Sequence, residues 1–467
     1  MARETPQRRA GAGLIAAVVA LVLALGAALA SVFAGTQIVN GLGLAGGQKT
    51  HWTDGTAPAA PPAVLAAADA QAPMPTQGGV TSALQSLLTV PQLGPHITAS
   101  VVDVSTGQTI YSSEPDAAMT PASTTKLVTA AAVLAARGPA YRIETKAVAG
   151  TQPGEVVLVA GGDPTLAVFP TSYYPGAARI DDLAKQVKEA LGGQAPTKVT
   201  YDVSLYTGSG IGPGWDADAT TGGSGAVMTP IMTEGGRQKQ QKYAQRYPKP
   251  DLQAAQAFAS ALGVPTNAVA AGNAPQGAKE LGKVESAPMS RMVEFMLQES
   301  DNVLADALAR QVALAKNQPA SFEGGAAATK SVLEELGLPV TGYGLVDGSG
   351  FSRNDRLSPA LLTAVLAMAA RPDRADLHSI FSGLPVAAYS GTLTTRYLKP
   401  DQGGSAAGLV RAKTGTLTGV NSLAGVVVDA DGRTLAFAFM ADQTTNADQA
   451  VIALDRVAAA LAACGCH

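Results

Sequence analysis

A serine and a lysine stand three positions apart in Pro121-Ala122-Ser123-Thr124-Thr125-Lys126, directly before an apolar, Ala-rich run over 127–136. That pattern predicts a helix with both side chains in its first turn, because positions i and i+3 share one face. A serine alcohol is a poor nucleophile until a neighbour takes its proton. Lys126 can do this if burial or nearby positive charge lowers its pKa. The helix N-terminus adds partial positive charge and free N–H groups, which suit a developing oxyanion. Taken by itself, the stretch also reads as a capped helix with a solvated lysine, since S-x-x-K is a short pattern.

Two further stretches change that balance. Ser300-Asp301-Asn302 stands before a helical run over 303–315, and Lys413-Thr414-Gly415 follows a strand-like run. Alone, the first could cap a helix and the second could end a strand in a turn. In one order with Ser123 and Lys126, they form the motif set of serine penicillin-binding proteins and β-lactamases. The likeness extends through Gly161-Gly162-Asp163-Pro164-Thr165-Leu166, Asp347-Gly348-Ser349-Gly350-Phe351-Ser352-Arg353, Leu384-Pro385-Val386-Ala387, Gly391-Thr392-Leu393 and the run from Lys413 through 425. From about residue 99 to 442 the chain resembles the D-alanyl-D-alanine carboxypeptidases/endopeptidases of the low-molecular-mass class C penicillin-binding proteins. In that family one or more domains are inserted between S-x-x-K and S-x-N. Here the two serines, at 123 and 300, are 177 positions apart, which is short for the family.

The roles that the resemblance implies agree with what the residues can do. Ser123 attacks the peptide carbonyl and Lys126 takes its proton, kept partly neutral with the help of the Lys413 charge. Ser300 relays a proton to the leaving D-alanine amine, and Asn302 holds Lys126 and the substrate amide. Lys413 and Thr414 offer a charge and a hydroxyl to the substrate's terminal carboxylate. Gly415 leaves room for substrate backbone, and the N–H groups of Ser123 and Thr416 form the oxyanion hole. Arg353 contacts substrate by the same resemblance, with a structural ion pair as an equal alternative. The expected activity is D-Ala-D-Ala carboxypeptidase action on peptidoglycan stem peptides through an acyl-enzyme on Ser123, trapped by β-lactam antibiotics. The alternatives are DD-endopeptidase cleavage of cross-links, β-lactamase or esterase hydrolysis at the same site, or a catalytically weak envelope-binding scaffold. No cofactor and no metal are implied.

The order of elements suggests an α+β fold, and the resemblance implies the penicillin-binding/β-lactamase-like transpeptidase kind: an antiparallel sheet flanked by helices, plus an inserted domain. Strands are expected at 97–104 and 108–112, at 423–429 and at 433–440, the last two joined around Asp431-Gly432. Helices are expected at 180–191, 289–298, 303–315, 361–370 and 448–463. Catalytic-domain residues are 80–144 and 281–467, and 145–280 forms the insertion, whose stretch 208–277 is Gly-, Pro- and Gln-rich with weak patterning.

Composition narrows the setting. The 467 residues are 46% hydrophobic and 15% charged, with a net charge of −3. No basic stripe marks a nucleic-acid binder. Arg3, Arg8 and Arg9 precede an uncharged run to about Phe33, so 1–35 reads as an export signal or a membrane anchor. Residues 36–79 read as a flexible Pro-, Ala- and Gly-rich spacer. The rest of the chain is therefore expected outside the cytoplasm, in the cell envelope, anchored or secreted. Cys464 and Cys466 are too close for an easy disulfide and too few for a zinc site, and read as an exposed tail. The four histidines sit in no catalytic motif and no G-x-S-x-G elbow is present, which disfavours a Ser-His-Asp hydrolase.

Overall fold

The computed structural model describes residues 72–466. The expected signal or anchor at 1–35, and most of the spacer at 36–79, lie outside those residues. Among the described residues no helix is long and apolar enough to cross a membrane. In chain order the longer elements begin with α1 (Gln77–Leu88), β1 (His96–Asp103), β2 (Thr109–Ser113), α2 (Thr125–Arg137), β3 (Glu144–Ala149) and β4 (Glu155–Val159). Next come α3 (Ile180–Ala190), β5 (Lys198–Asp202), α4 (Pro250–Leu262), β6 (Val269–Ala271) and β7 (Glu280–Glu285). The remainder are α5 (Met289–Glu299), α6 (Asn302–Ala315), α7 (Phe322–Glu335), α8 (Pro359–Ala369), β8 (Arg411–Leu417), β9 (Val420–Val428), β10 (Thr434–Asp442) and α9 (Ala447–Ala462).

The main sheet has the order β2-β1-β10-β9-β8, antiparallel throughout, so the C-terminal strands complete a sheet begun by the first hairpin. Both faces are covered, which is why β10 reads as an unbroken apolar run instead of an alternating one. Leu435, Phe437, Phe439 and Ala441 pack with α1 and α9, while Ala436, Ala438 and Met440 pack with the layer containing α2, α6 and α8. Small residues on the second face let the helices approach closely. Removing the Phe437 ring would cost roughly 3–5 kcal/mol. Helix α2 is buried from Thr125 to Leu134, as expected for a helix apolar on every side.

A second sheet, β6-β5-β4-β3-β7, is parallel from β4 to β6 and antiparallel at β3 and β7. Leu183 and Val187 of α3 and Phe258 and Leu262 of α4 fill its core. It lies wholly between Glu144 and Glu285. Between β5 and α4 the chain leaves this sheet. Its weakly patterned stretch is folded: Ala226, Met228 and Met232 pack on Val303, Ala307 and Phe322 of α6 and α7.

Two expectations are corrected. Packing starts before residue 80, since Ala72 is buried and Thr76 caps α1 by accepting from Gly79 N at 3.1 Å. The C-terminal tail is only partly exposed. Cys464 is buried and bonded to Cys466 in a disulfide, and the Cys466 carbonyl accepts from Thr76 N at 2.7 Å. The tail turns back onto the start of α1, and that turn brings the two cysteine Cα atoms to 5.0 Å, within the range a disulfide spans.

Candidate active site

Ser123 does not lie in the first turn of α2. It sits just before it, in a 3-10 turn over Ala122–Thr124, after Ala122 at φ +48°. That left-handed residue is unusual for a side chain with a Cβ. The turn is held by Ser422 of β9, whose hydroxyl donates to the Pro121 carbonyl at 2.6 Å. The nucleophile candidate is thus fixed by the central sheet as well as by its own helix.

Lys126 is fully buried. Its Nζ donates to Ser123 Oγ at 2.9 Å, to Asn302 Oδ1 at 2.6 Å and to the Ser349 carbonyl at 2.7 Å. An ammonium has three protons, and all three are committed here. The neutral amine keeps two protons for Asn302 and Ser349 and turns a lone pair to the Ser123 hydroxyl. Burial lowers the Lys126 pKa to about 8, against the opposing pull of the Asp306, Asp347, Asp301 and Asp355 carboxyls. Desolvation is therefore the leading cause that lowers the pKa of this lysine. Lys413 is likewise held well below its ordinary value, by burial first and by the Lys126 charge second, so the two ammonium groups oppose each other.

Ser300 and Asn302 flank the junction of α5 and α6. Ser300 ends α5 in a left-handed conformation, φ +56°, and its Oγ accepts from Lys413 Nζ at 2.8 Å. Asn302 opens α6, and its Nδ2 donates to the Ser224 carbonyl at 3.0 Å, which leaves Oδ1 facing Lys126. Lys413 is buried on β8, the edge strand of the main sheet. Thr414 Oγ1 meets Thr392 Oγ1 at 2.9 Å. Gly415 is required by a close approach of the protein itself and not, as expected, by substrate: a Cβ there would fall 2.1 Å from Ser422 Oγ and 2.7 Å from the Pro121 carbonyl oxygen.

These groups surround one cleft of about 390 Å³, lined by Ser123, Ser300, Asn302, Thr392, Thr414 and Thr416, among others. Arg353 does not line it. Its guanidinium pairs with exposed Asp216 and donates to the Thr418 carbonyl at 3.0 Å, so the ion-pair alternative describes where it stands.

Other residues complete the site, and the short catalytic motifs do not name them. The Ser349 carbonyl is a backbone group. Its loop is held by Asp347, whose Oδ1 accepts from Ser349 N at 2.8 Å and Gly350 N at 2.7 Å, and whose Oδ2 accepts from Trp215 Nε1 at 2.8 Å. Arg237, Tyr173, Ser224, Lys242 and Tyr243 reach the same cleft from the weakly patterned stretch and its neighbours.

Comparison with known proteins follows the same lines. The family model described as the D-Ala-D-Ala carboxypeptidase 3 (S13) family matches residues 80–246 and 231–461. Carboxypeptidase DacB of Mycolicibacterium smegmatis is 40% identical over 430 residues, covering 90% of this chain and 92% of that protein. A carboxypeptidase of Mycobacterium tuberculosis is 40% identical over 423 residues, covering 88% and 90%. In overall fold the chain is similar to the crystal structure of penicillin-binding protein 4 from Haemophilus influenzae. The TM-score is 0.64 at 23% identity, over 82% of this chain and 98% of that one.

Proposed function

The chain belongs to the D-Ala-D-Ala carboxypeptidase 3 (S13) family, and we infer from that premise how its cleft carries out serine D-Ala-D-Ala carboxypeptidase chemistry. The observation that carries the reading is the contact of a buried lysine amine, Lys126, with the Ser123 hydroxyl at 2.9 Å. Neutral Lys126 takes the Ser123 proton as Oγ attacks the carbonyl of the penultimate D-alanine. The backbone N–H groups of Ser123 and Thr416 receive the oxyanion, an interaction worth roughly 3–4 kcal/mol per donor in such sites. As the intermediate collapses, the proton passes through Ser300 Oγ to the leaving amine. Water then hydrolyses the acyl ester on Ser123. Lys413 and Thr414 hold the substrate's terminal carboxylate, and its backbone lies along the edge of β8. Arg353, at the outer rim, serves bound substrate only if it leaves Asp216.

The substrates are peptidoglycan stem peptides, and β-lactams acylate the same serine. The peptidase domain comprises 80–144 and 281–467, with 145–280 inserted. Residues 1–35 export the chain to the cell envelope, as a cleaved signal or a retained anchor. Fractionation of cells expressing the full chain separates these two outcomes, and recovery from the cytoplasm refutes both.

Incubation with a fluorescent penicillin tests the assignment. The wild-type protein takes one covalent label on the peptide containing Ser123, and Ser123→Ala takes none. A Ser123→Ala variant that labels equally well overturns it.

A further inference from the structure

The middle residue of Ser300-Asp301-Asn302 has no part in the chemistry above, yet it is the most constrained of the three. The side chains of Asp301 and Arg237 are each 2% exposed, and they form an ion pair at 2.8 Å. Asp301 Oδ1 accepts from Leu304 N at 2.9 Å, capping α6. Oδ2 accepts from Arg237 Nη2 at 2.8 Å and from the Tyr174 hydroxyl at 3.1 Å. Arg237 Nη1 donates in turn to the Tyr174 hydroxyl at 2.7 Å, and the guanidinium stacks 3.8 Å from the centre of the Tyr173 ring.

A helix cap does not need this. Serine or asparagine would cap α6 as well, and a buried ion pair is a weak source of net stability, because desolvation offsets much of the attraction. Its better-attested use is to select one conformation among several. The conformation at stake is visible. Ser300, next to Asp301, sits at φ +56°, a strained state for a residue with a Cβ. In that state Ser300 Oγ meets Lys413 while Asn302 Oδ1 meets Lys126. The cation comes from a braced platform. Glu234 is buried and accepts from Val168 N, Phe169 N, Ser172 Oγ and Tyr173 N, so the segments bearing Tyr174 and Arg237 are tied together.

We propose that Arg237 and Tyr174 are positioning residues for acyl transfer. Acting through Asp301, they lock the Ser300–Asn302 loop so that Ser300 faces Lys413 and Asn302 faces Lys126 before substrate enters. The proposal rests on the acyl-enzyme reading above and gives the segment around 174–237 a part in catalysis, not only in packing.

The test uses the full chain and a penicillin whose acylation is followed in time, so that the noncovalent dissociation constant and the acylation rate constant are separated. Wild type must acylate; if it does not, the acyl-enzyme reading fails and not this proposal. Arg237→Met is expected to lower the acylation rate constant by about 30-fold or more, with the dissociation constant within about threefold, as for a loss of alignment without loss of contact. Tyr174→Phe keeps the ring and is expected to lower it several-fold with little change in melting temperature. The double variant Arg237→Met/Asp301→Asn removes both buried charges. Its melting temperature should return toward wild type while acylation stays at least about 10-fold slow. Wild-type acylation in Tyr174→Phe, or a double variant that recovers rate along with melting temperature, overturns the proposal. If Arg237→Met alone does not fold, Tyr174→Phe and the double variant decide the matter.

Discussion

Lys126 Nζ donates to Asn302 Oδ1 across 2.6 Å, although 176 positions separate the two residues. An amide oxygen accepts this bond without adding charge. Asn302→Asp would place a carboxylate there and favour the ammonium. The acylation rate, which requires neutral Lys126, should rise with pH through about 8 in the wild type. In Asn302→Asp that rise should move upward by about one unit or more, so that acylation at pH 7 falls roughly 10-fold. Asn302→Ala should lower the rate across the range without the upward move. Stopped-flow acylation profiles of the three proteins check this. An unshifted Asn302→Asp profile would remove Lys126 as the base.

Lys413 gives a second pH dependence of opposite sign. Burial, then the Lys126 charge, hold its pKa well below the usual lysine value in the empty cleft. A substrate carboxylate favours the ammonium, so the pKa rises on binding and the complex carries more protons than the free protein. Affinity for a carboxylate-bearing β-lactam should therefore weaken as pH rises, and binding should take up protons from buffer. Calorimetry in two buffers of different ionisation enthalpy measures the uptake, using Ser123→Ala to stop acylation. Lys413→Met should abolish it.

Arg353 should matter little to either step. Its partner Asp216 is half-exposed, and such surface pairs contribute about 0–1 kcal/mol. Arg353→Ala is expected to shift stability by less than about 1 kcal/mol and penicillin acylation by less than about threefold. A larger loss, measured by denaturant unfolding and by labelling rate, would bring Arg353 into the cleft during turnover.

The sheet and helices around the cleft are legible from their apolar runs and the turn residues that bound them. The run from Leu435 to Ala441 could only be a covered strand or a buried helix, and Asp431-Gly432 before it argued for a hairpin. The short motifs named the side chains, but not their placement. Ser123 stands two residues ahead of α2, in a tighter turn entered through Ala122, whose left-handed conformation no alanine advertises. The full burial of Lys126 is not legible in its own helix, because it depends on α6 and the Ser349 loop. Arg237 was invisible for a related reason. It pairs with Asp301 across 64 positions from a stretch without periodicity, and a lone arginine there looks like any solvated cation. The C-terminal disulfide has no signature in the spacing, because it depends on the tail folding back onto Thr76.

Gly350 supplies the most direct test of how the nucleophile turn is supported. It lies at φ +76°, and a Cβ there would fall 1.8 Å from the Ala122 carbonyl oxygen. No flexible side-chain tip can yield at that contact, because the obstacle is backbone. Gly350→Ala must displace either the Ser349 loop, whose carbonyl holds Lys126, or the turn that carries Ser123. The left-handed conformation alone costs an alanine about 1 kcal/mol or more, and the clash should bring the total to about 2–4 kcal/mol. A displacement near 1 Å at either group is expected to slow acylation about 100-fold. The loss should fall on the acylation rate constant and not on the noncovalent dissociation constant, since Lys413 and Thr414 lie on β8 and not on that loop or turn. Measuring both constants together with the unfolding midpoint checks this: a Gly350→Ala protein with wild-type acylation would mean that the Ser349 loop does not support the Ser123 turn.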